Sequence, residues 1–176
     1  MLFRSDGYSR LVVTDMQGSN LKVVSTARAI EVSPRVNPKN AKDLLFISGR
    51  SGRQQLWRMN EDGTDLQMLT SGEGDVANPA WSPNGQMVAF AWTRGYEPGN
   101  LNIFVMDINK KQPIQLTSAS GRNENPTWAP DGLHIVYSSK RGRETHIYSM
   151  LADGSAVKQL TTAGNNTQPV WAKGLN

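Results

Sequence analysis

The side chains that most often carry enzyme chemistry are few in this 176-residue chain, which has two histidines and no cysteine. His134 lies at the start of an apolar run, and His146 lies just before another. Neither has a second histidine or clustered carboxylates at metal-ligand spacing. We therefore interpret both as structural or surface residues. Without cysteine, disulfides, thiol nucleophiles and thiolate metal sites are excluded.

Three further segments resemble catalytic or binding motifs, and each departs from its motif. Gly49-Arg50-Ser51-Gly52 lacks the Gly-x-Ser-x-Gly spacing of a serine nucleophile elbow. The segment from Asn60 to Asp65 lacks the twelve-residue pattern and terminal glutamate of a calcium loop, so we interpret it as a turn. Gly142 is not followed by the Gly-Lys-Ser/Thr of a phosphate loop. We expect no catalytic residue, no metal site and no cofactor.

Composition narrows the class of partner. The chain carries 19 basic and 15 acidic side chains, a formal net charge of +4, and interspersed charges of this kind are typical of a solvated surface. No apolar run approaches the roughly 20 residues that span a bilayer. The segment from Met1 to Asp6 lacks the long apolar stretch of a signal peptide. We expect no nucleic-acid binding, no membrane insertion and no signal peptide within this chain.

A fourfold repeat determines how the remaining side chains are positioned. Its marker is a proline-bounded segment that occurs at residues 32–38, 77–83, 124–130 and 167–173. The first prolines of these segments, at positions 34, 79, 126 and 169, are 45, 47 and 43 residues apart. This period is typical of a propeller blade of four strands.

Each repeat predicts four short strands, a to d, joined by tight turns. The pairs Asn84-Gly85 and Asp131-Gly132 favour two-residue hairpins in which both positions have positive φ. Strands b and c are nearly continuous apolar runs, which is typical of sheets covered on both faces, whereas strand d alternates like an outer edge. Helices should be scarce. The repeated tryptophans of strand a are predicted to pack between blades rather than stack on a sugar: Trp81, Trp128 and Trp171.

The predicted fold class is therefore all-β, a β-propeller of four-stranded antiparallel blades, with four blades in one domain over residues 1–176. Blade 1 combines residues 168–176 with 1–25, and blades 2, 3 and 4 cover 31–70, 76–117 and 122–161. Pairing of the amino- and carboxy-terminal strands would close the ring and leave no sheet edge exposed. A homo-oligomer, in which a second copy completes a larger ring, is the alternative.

The repeated motif resembles the TolB-type β-propeller repeat, a WD40-like (PD40) repeat. The resemblance covers nearly the whole chain and is carried by Asn78 to Gly85 with Phe90, Asn125 to Gly132 with Tyr137-Ser138, Ile147-Tyr148, Asp153-Gly154 and Gln159-Leu160-Thr161. Proteins of the TolB type have an additional amino-terminal domain and six blades, and this chain has neither the domain nor two of the blades. The first repeat also departs from the pattern, with Val36 in place of tryptophan and Ser33 in place of asparagine.

The resemblance implies a non-enzymatic protein-binding scaffold of the Tol-Pal cell-envelope system in the periplasm. It further implies that the peptidoglycan-associated lipoprotein docks where the d–a loops emerge. The candidate partner-binding residues are the polar side chains of three d–a loops: Asp75, Asn78, Arg122, Asn123, Glu124, Asn125, Asn166, Thr167 and Gln168. An alternative role for Asn78 and Asn125 is to cap their own turns before proline.

The b–c loops should emerge on the same rim as the d–a loops and make its periphery basic, through Arg10, Arg50, Arg53, Arg94, Lys140, Arg141 and Arg143. The opposite rim carries Asp62, Asp65, Asp131 and Asp153, partly offset by Lys110 and Lys111. Loops are polar in most proteins, so the alternative is that these residues only solvate the surface.

Two functions of other classes remain open at this stage. One is a structural or gating propeller derived from a peptidase, which a flanking catalytic sequence in the parent gene would reveal. The other is a shortened or engineered propeller with no native activity.

Overall fold

A computed structural model of the chain describes residues 2–5, 7–95, 99–118 and 121–172. This part holds fifteen strands and no helix, and hence no helix that could cross a membrane. The strands are β1 (Leu2–Ser5), β2 (Tyr8–Val13), β3 (Lys22–Val23), β4 (Glu31–Asn37), β5 (Asn40–Ser48), β6 (Gln55–Asn60), β7 (Gln67–Met68), β8 (Val76–Trp81), β9 (Met87–Trp92), β10 (Asn102–Asp107), β11 (Pro113–Gln115), β12 (Arg122–Trp128), β13 (His134–Arg141), β14 (Glu144–Leu151) and β15 (Lys158–Gln159).

The strands form four separate antiparallel sheets, each in simple sequential order. Strands β4–β7, β8–β11 and β12–β15 make three four-stranded sheets, which we call blades 2, 3 and 4 with strands a to d. Strands β1–β3 make a three-stranded sheet, blade 1, which supplies b, c and d. The predicted all-β fold of propeller blades is confirmed.

The core lies in the layers between neighbouring blades, because strands b and c are covered on both faces. One cluster joins Leu45 and Leu56 of blade 2 to Phe90 and Phe104 of blade 3. A second joins blade 3 to blade 4, and a third joins blade 1 to blade 2. This burial explains why the b and c segments are almost uninterrupted apolar runs.

Strand d is only two or three residues long and largely exposed, and the threonine that follows it fixes it to strand c. The Thr70 hydroxyl accepts a hydrogen bond from the Leu56 amide at 2.9 Å. Thr117 and Thr161 make the same contact in blades 3 and 4, also at 2.9 Å. The recurring Leu-Thr therefore fixes the outer edge of blades 2, 3 and 4.

The strand a tryptophans of blades 3 and 4 form hydrogen bonds to strand a of the preceding blade. The indole nitrogen of Trp81 donates to the Arg35 carbonyl at 3.0 Å, and that of Trp128 donates to the Ala80 carbonyl at 3.2 Å. Both rings are buried, as predicted for inter-blade packing. Trp171 differs because 37% of its surface is exposed.

The a–b turns differ from the predicted two-residue hairpins with two positive φ angles. The Gly85 amide donates to the Ser82 carbonyl at 2.9 Å, and Gly132 repeats this bond to Ala129 at 3.0 Å. Only the glycine of each pair has positive φ, 69° and 70°. The proline that precedes each pair explains this, since its fixed φ favours the first central position of a type I turn.

Strand a is bent at the residue before its first proline. Ser33, Asn78, Asn125 and Gln168 all have φ between 51° and 55°. The register of strand a against strand b shifts at this point in each of the three complete blades. An extra residue of this kind is a β-bulge, which bends the strand and turns side chains toward a new direction.

The predicted closure of the ring within one chain is not present in the described residues. Residues 168–172 form no strand, and β1 pairs with β2. The Pro169 carbonyl instead accepts a hydrogen bond from the Thr127 hydroxyl at 3.1 Å. The segment thus packs on strand a of blade 4, as β8 packs on β4 and β12 packs on β8. Closure by a second copy stays a prediction.

Candidate functional site

The d–a and b–c loops lie on one edge of the blades, which we call the loop rim. Backbone hydrogen bonds join the two kinds of loop. The Thr93 amide donates to the Asp75 carbonyl at 3.1 Å. The Asn123 amide donates to the Leu101 carbonyl, and the Asn166 amide to the Thr145 carbonyl, both at 2.8 Å. The a–b and c–d turns are joined in the same way on the opposite edge, the turn rim, where the Glu61 amide donates to Lys42 at 2.7 Å. The predicted division of the loops is confirmed.

The d–a loop between blades 2 and 3 is held firmly because a glycine lets it approach strand b of blade 3. Gly74 has φ +83°, and a Cβ atom there would lie 2.4 Å from Thr93 Oγ1 and 2.5 Å from the Arg94 nitrogen. The Asp75 amide then donates to Thr93 Oγ1 at 2.8 Å. Asp75 Oδ1 accepts from the Gln54 amide at 3.0 Å, which couples the loop to blade 2.

The side-chain hydrogen bond that Asp75 accepts recurs in blade 4 at Asn165, which is not among the nine residues predicted from the sequence. Asn165 Oδ1 accepts a hydrogen bond from the Thr145 amide at 3.0 Å. Asn165 and Asp75 both stand four residues before the first proline of strand a, so this repeat spacing was the signal that could have identified Asn165.

Three candidate residues, Asp75, Asn78 and Arg122, line a cavity of about 570 Å³ on the loop rim where blades 2, 3 and 4 meet. Val32, Ile47, Val76 and Leu101 supply apolar surface, and Arg53 and Glu73 add charge. We call this the inter-blade cavity.

A second cavity, of about 320 Å³, is lined by strand a of successive blades, and we call it the central opening. Asn78, Asn125 and Gln168 contribute to it. All three occupy the bulge position before proline, so the bend in strand a positions them together. Asn78 lines both cavities and connects the two sets of candidates.

The remaining candidates are less uniform. Asn123 is 1% exposed, and its side-chain nitrogen donates to the Leu101 carbonyl and to Asn102 Oδ1 at 3.4 and 3.3 Å. Glu124 pairs with Arg122 at 2.8 Å. Asn166 donates to the Ala163 carbonyl at 2.8 Å, whereas Thr167 is exposed. The structure therefore brings Asn123 into the protein interior and leaves Glu124 and Thr167 at the surface.

The side chain of Asn125 makes a contact that the sequence did not indicate. Its amide nitrogen donates to Ser138 Oγ at 3.3 Å, across the pair β12–β13. The same hydroxyl donates to the Glu124 carbonyl at 3.0 Å. These bonds support the bulge from strand b instead of capping the turn before the proline.

Several basic residues assigned to the b–c loops have structural partners. Arg50 forms an ion pair with Glu31, whose side chain is fully buried and also accepts from Ser48 Oγ at 3.1 Å. Arg94 lies over the Trp92 ring at 5.2 Å, and Arg141 lies over the Tyr148 ring at 4.4 Å. Glu31 was not identified from the sequence, since a lone glutamate in an early strand carries no repeat signal.

Three of the b–c loop assignments are wrong, because Arg10 lies within β2 and both Lys140 and Arg141 lie within β13. Strand c of blade 1 begins at Tyr8, so the connection after β1 is as short as that between β13 and β14 of blade 4.

Each histidine contacts a carboxylate nearby in the sequence. His134 Nδ1 lies 2.7 Å from Asp131 Oδ2 within an a–b turn, and His146 Nε2 lies 3.2 Å from Glu144 Oε2. The backbone amide of Leu133, followed by the His134 side chain, lowers the pKa of Asp131. The described residues contain no group of three or more potential metal-ligating side chains.

The segment from Asn60 to Asp65 is a c–d turn, as predicted. Asp62 Oδ1 accepts from the Thr64 hydroxyl at 2.6 Å and from the Thr64 amide at 3.0 Å. These two hydrogen bonds lower the pKa of Asp62. The carboxylate therefore stabilises its own turn.

The family model of the TolB beta propeller domain (PD40) matches residues 66–174. The Tol-Pal system protein TolB of Anaeromyxobacter dehalogenans (strain 2CP-C) is 34% identical over 92 residues, which are 52% of this chain and 21% of that protein. The crystal structure of TolB from Acinetobacter baumannii superposes with a TM-score of 0.76 at 28% identity, over 89% of this chain and 38% of that one.

The chain thus spans about a fifth of the length of the curated relatives it matches. A Mycobacterium tuberculosis puromycin-hydrolysing peptidase also superposes, with a TM-score of 0.69 at 14% identity over 86% of this chain and 24% of that one. At this identity the likeness shows the fold alone.

Proposed function

Because the chain belongs to the TolB beta propeller domain family, we propose that it is a non-enzymatic scaffold that binds a protein partner at the loop rim. The proposed partner is the peptidoglycan-associated lipoprotein of a Tol-Pal system, and the proposed location is the periplasm. The relatives that carry the name Tol-Pal system protein TolB support both proposals. The assignment of all 176 residues to a single domain stays a prediction.

The observation that carries the proposal is the convergence of candidate residues on two adjoining cavities of one rim. Asp75 and Arg122 line the inter-blade cavity, Asn125 and Gln168 line the central opening, and Asn78 lines both. The loops between them are fixed by backbone hydrogen bonds. A surface that is already ordered loses little conformational entropy on binding, which favours affinity.

A calorimetric titration of the chain with the soluble domain of the lipoprotein from Anaeromyxobacter dehalogenans tests the proposal. We expect saturable binding that weakens when Arg122, Glu124 and Thr167 are replaced together by alanine, because these three side chains are accessible on the loop rim. A few central contacts dominate most interfaces, so a loss of about 1 kcal/mol or more in binding free energy is expected. Asn123 is left intact, since its replacement would remove interior hydrogen bonds.

The matched control replaces Asp62, Asp65 and Asp153 of the turn rim by alanine and should leave the affinity unchanged. Circular dichroism of both triple variants verifies that they fold. No heat from the unmodified chain, or equal losses in the two variants, would contradict binding at the loop rim. Absence of all binding would favour the shortened propeller without activity.

A gating propeller of a peptidase is the alternative function. Its support is the fold shared with solved peptidase structures, among them the Mycobacterium tuberculosis peptidase at 14% identity, and with a puromycin hydrolase at 17% identity. A catalytic sequence flanking these residues in the parent gene would favour that alternative over the scaffold.

A further inference from the structure

We propose that the inter-blade cavity binds a segment of the protein partner in which carboxylate side chains flank an apolar residue. This inference rests on the proposed function, because it specifies the chemistry of the partner that the same rim would bind. It follows from the hydrogen-bonding capacity of two arginines, from the apolar surface between them and from the charge of the whole loop rim.

Within the described residues, the two arginines that line the cavity have N–H donors without partners. Arg53 makes no ion pair or ring contact within the described part of the chain. Arg122 uses its Nε–H for Glu124, at 2.8 Å, and its two Nη groups make no further hydrogen bond to described residues. A guanidinium offers five N–H donors in a planar fork that matches a carboxylate. Both arginines can therefore donate hydrogen bonds to an additional carboxylate of a partner.

Two carboxylates, Asp75 and Glu73, line the same cavity, and neither forms an ion pair with a described residue. Asp75 Oδ1 accepts a hydrogen bond from the Gln54 amide at 3.0 Å. Glu73 is exposed, and its side chain makes no hydrogen bond to a described residue. Its charge opposes an acidic ligand, and its removal should therefore strengthen the binding of one.

Apolar surface lies in the same cavity, supplied by Val32, Ile47, Val76 and Leu101. The volume of about 570 Å³ is within the range of sites that enclose a small ligand. A leucine-sized side chain can occupy such a volume while neighbouring carboxylates reach the rim. Burial of that side chain would supply affinity, and the charges would supply selectivity.

The charge of the surrounding rim favours the same partner. The described residues of the loop rim in blades 2 to 4 carry eight basic side chains, Arg28, Arg50, Arg53, Arg94, Arg122, Lys140, Arg141 and Arg143, and five acidic ones, Glu31, Glu73, Asp75, Glu124 and Glu144. Arg50 is neutralised by buried Glu31, and stacking on aromatic rings does not remove the charges of Arg94 and Arg141. An approaching acidic segment is thus attracted over about 10 Å at 0.1 M salt.

The test uses two end-blocked peptides, Gly-Asp-Leu-Asp-Gly and Gly-Lys-Leu-Lys-Gly, titrated into the isotope-labelled chain and monitored by amide chemical shifts. We expect saturable shifts at Val76, Ala77 and Leu101, with the acidic peptide binding at least about tenfold more tightly. The Arg53→Gln and Arg122→Gln variants should each weaken the acidic peptide about two- to fivefold. Glu73→Gln should strengthen it by a similar factor.

Lys42→Gln on the turn rim is the control and should not change the affinity for either peptide. Preference for the basic peptide, weaker binding after Glu73→Gln, an equal effect of Lys42→Gln, or no saturable shift with either peptide would overturn the inference. The lipoprotein titration is independent of this result, since a peptide preference without lipoprotein binding would refute the proposed partner and keep the cavity's selectivity. Lipoprotein binding without a peptide preference would refute the cavity's selectivity and keep the proposed partner.

Discussion

At the scale of single residues, the tryptophan of strand a connects sequence repeat to blade packing. Trp81 and Trp128 are buried, and each donates its indole N–H to strand a of the preceding blade. Large aromatic rings contribute much apolar surface, and a buried indole needs a hydrogen-bond acceptor. One residue type at one repeat position therefore satisfies both requirements in blades 3 and 4.

Replacement of Trp128 by alanine should lower the free energy of unfolding by about 3–5 kcal/mol, the range for loss of a large buried aromatic. Trp128 is 8% exposed, whereas Trp171 is 37% exposed and its ring lies 6.5 Å from that of His134. Trp171→Ala is the matched control and should cost about 1 kcal/mol. Chemical denaturation measures both; indistinguishable curves for Trp128→Ala and the unmodified chain would refute the packing role.

The cation–π contacts of three arginines were not predictable from the sequence. Arg50, Arg94 and Arg141 each stand at the end of a strand b and lie over aromatic rings of their own blade. Their position in loops predicted a free basic periphery, but cation–π contact depends on ring positions that only the folded sheet defines. Arg53 occurs in the same loop as Arg50 and lies over no aromatic ring of the described residues.

At the scale of elements, the turns are stabilised by their own side chains. Asp62, Asp107 and Asp153 each accept hydrogen bonds within a c–d turn. The Thr64 hydroxyl, the Lys110 amide and the Ser155 hydroxyl are the respective main causes that lower the pKa values of these carboxyls. The turns of blades 2 and 4 share one backbone pattern, whereas in blade 3 the Lys111 amide donates to the Asp107 carbonyl at 3.0 Å. In all three turns an aspartate accepts hydrogen bonds from residues that follow it.

These lowered pKa values predict a loss of stability in acid. A carboxyl with a folded pKa below its unfolded value, near 3.9, stabilises the fold fully above the unfolded pKa, and the contribution disappears as pH falls through the folded pKa. The triple variant Asp62→Asn, Asp107→Asn and Asp153→Asn should therefore lose less stability than the unmodified chain between about pH 5 and 2. Urea midpoints across this range measure the difference.

Glu61→Gln is the control for that experiment, because Glu61 is exposed beside the same turn and its side chain has no hydrogen bond to described residues. It should follow the unmodified chain at every pH. Parallel pH profiles of the triple variant and the unmodified chain would show that the turn hydrogen bonds do not couple to folding.

The elements were largely predictable because strands and turns are local. The apolar runs of strands b and c and the period of 43 to 47 residues specified the blades. The turn type was wrong, since the pair Asn84-Gly85 was considered without Pro83, which belongs to the same turn. The bulge at Asn78 and Asn125 was not predicted, because its register shift is visible only against strand b.

At the scale of the whole molecule, the order of blades was predictable and the closure of the ring was not. Each strand a packs on the previous one, so residues 168–172 lie against Thr127 and not beside β1. The candidate site shows the same division. Repeat position placed Asp75, Asn78 and Arg122 at one cavity, whereas the burial of Asn123 depends on packing against Leu101.

Amide hydrogen exchange of the chain, measured with and without saturating lipoprotein, tests most directly whether the loop rim binds the partner. Binding at the loop rim predicts slower exchange at residues 72–78, 121–125 and 161–168, because bound loops open less often. Exchange at the turn rim, residues 61–66, 107–112 and 151–156, should stay the same. Slower exchange confined to the turn rim, or unchanged exchange at both rims despite binding, would contradict binding at the loop rim.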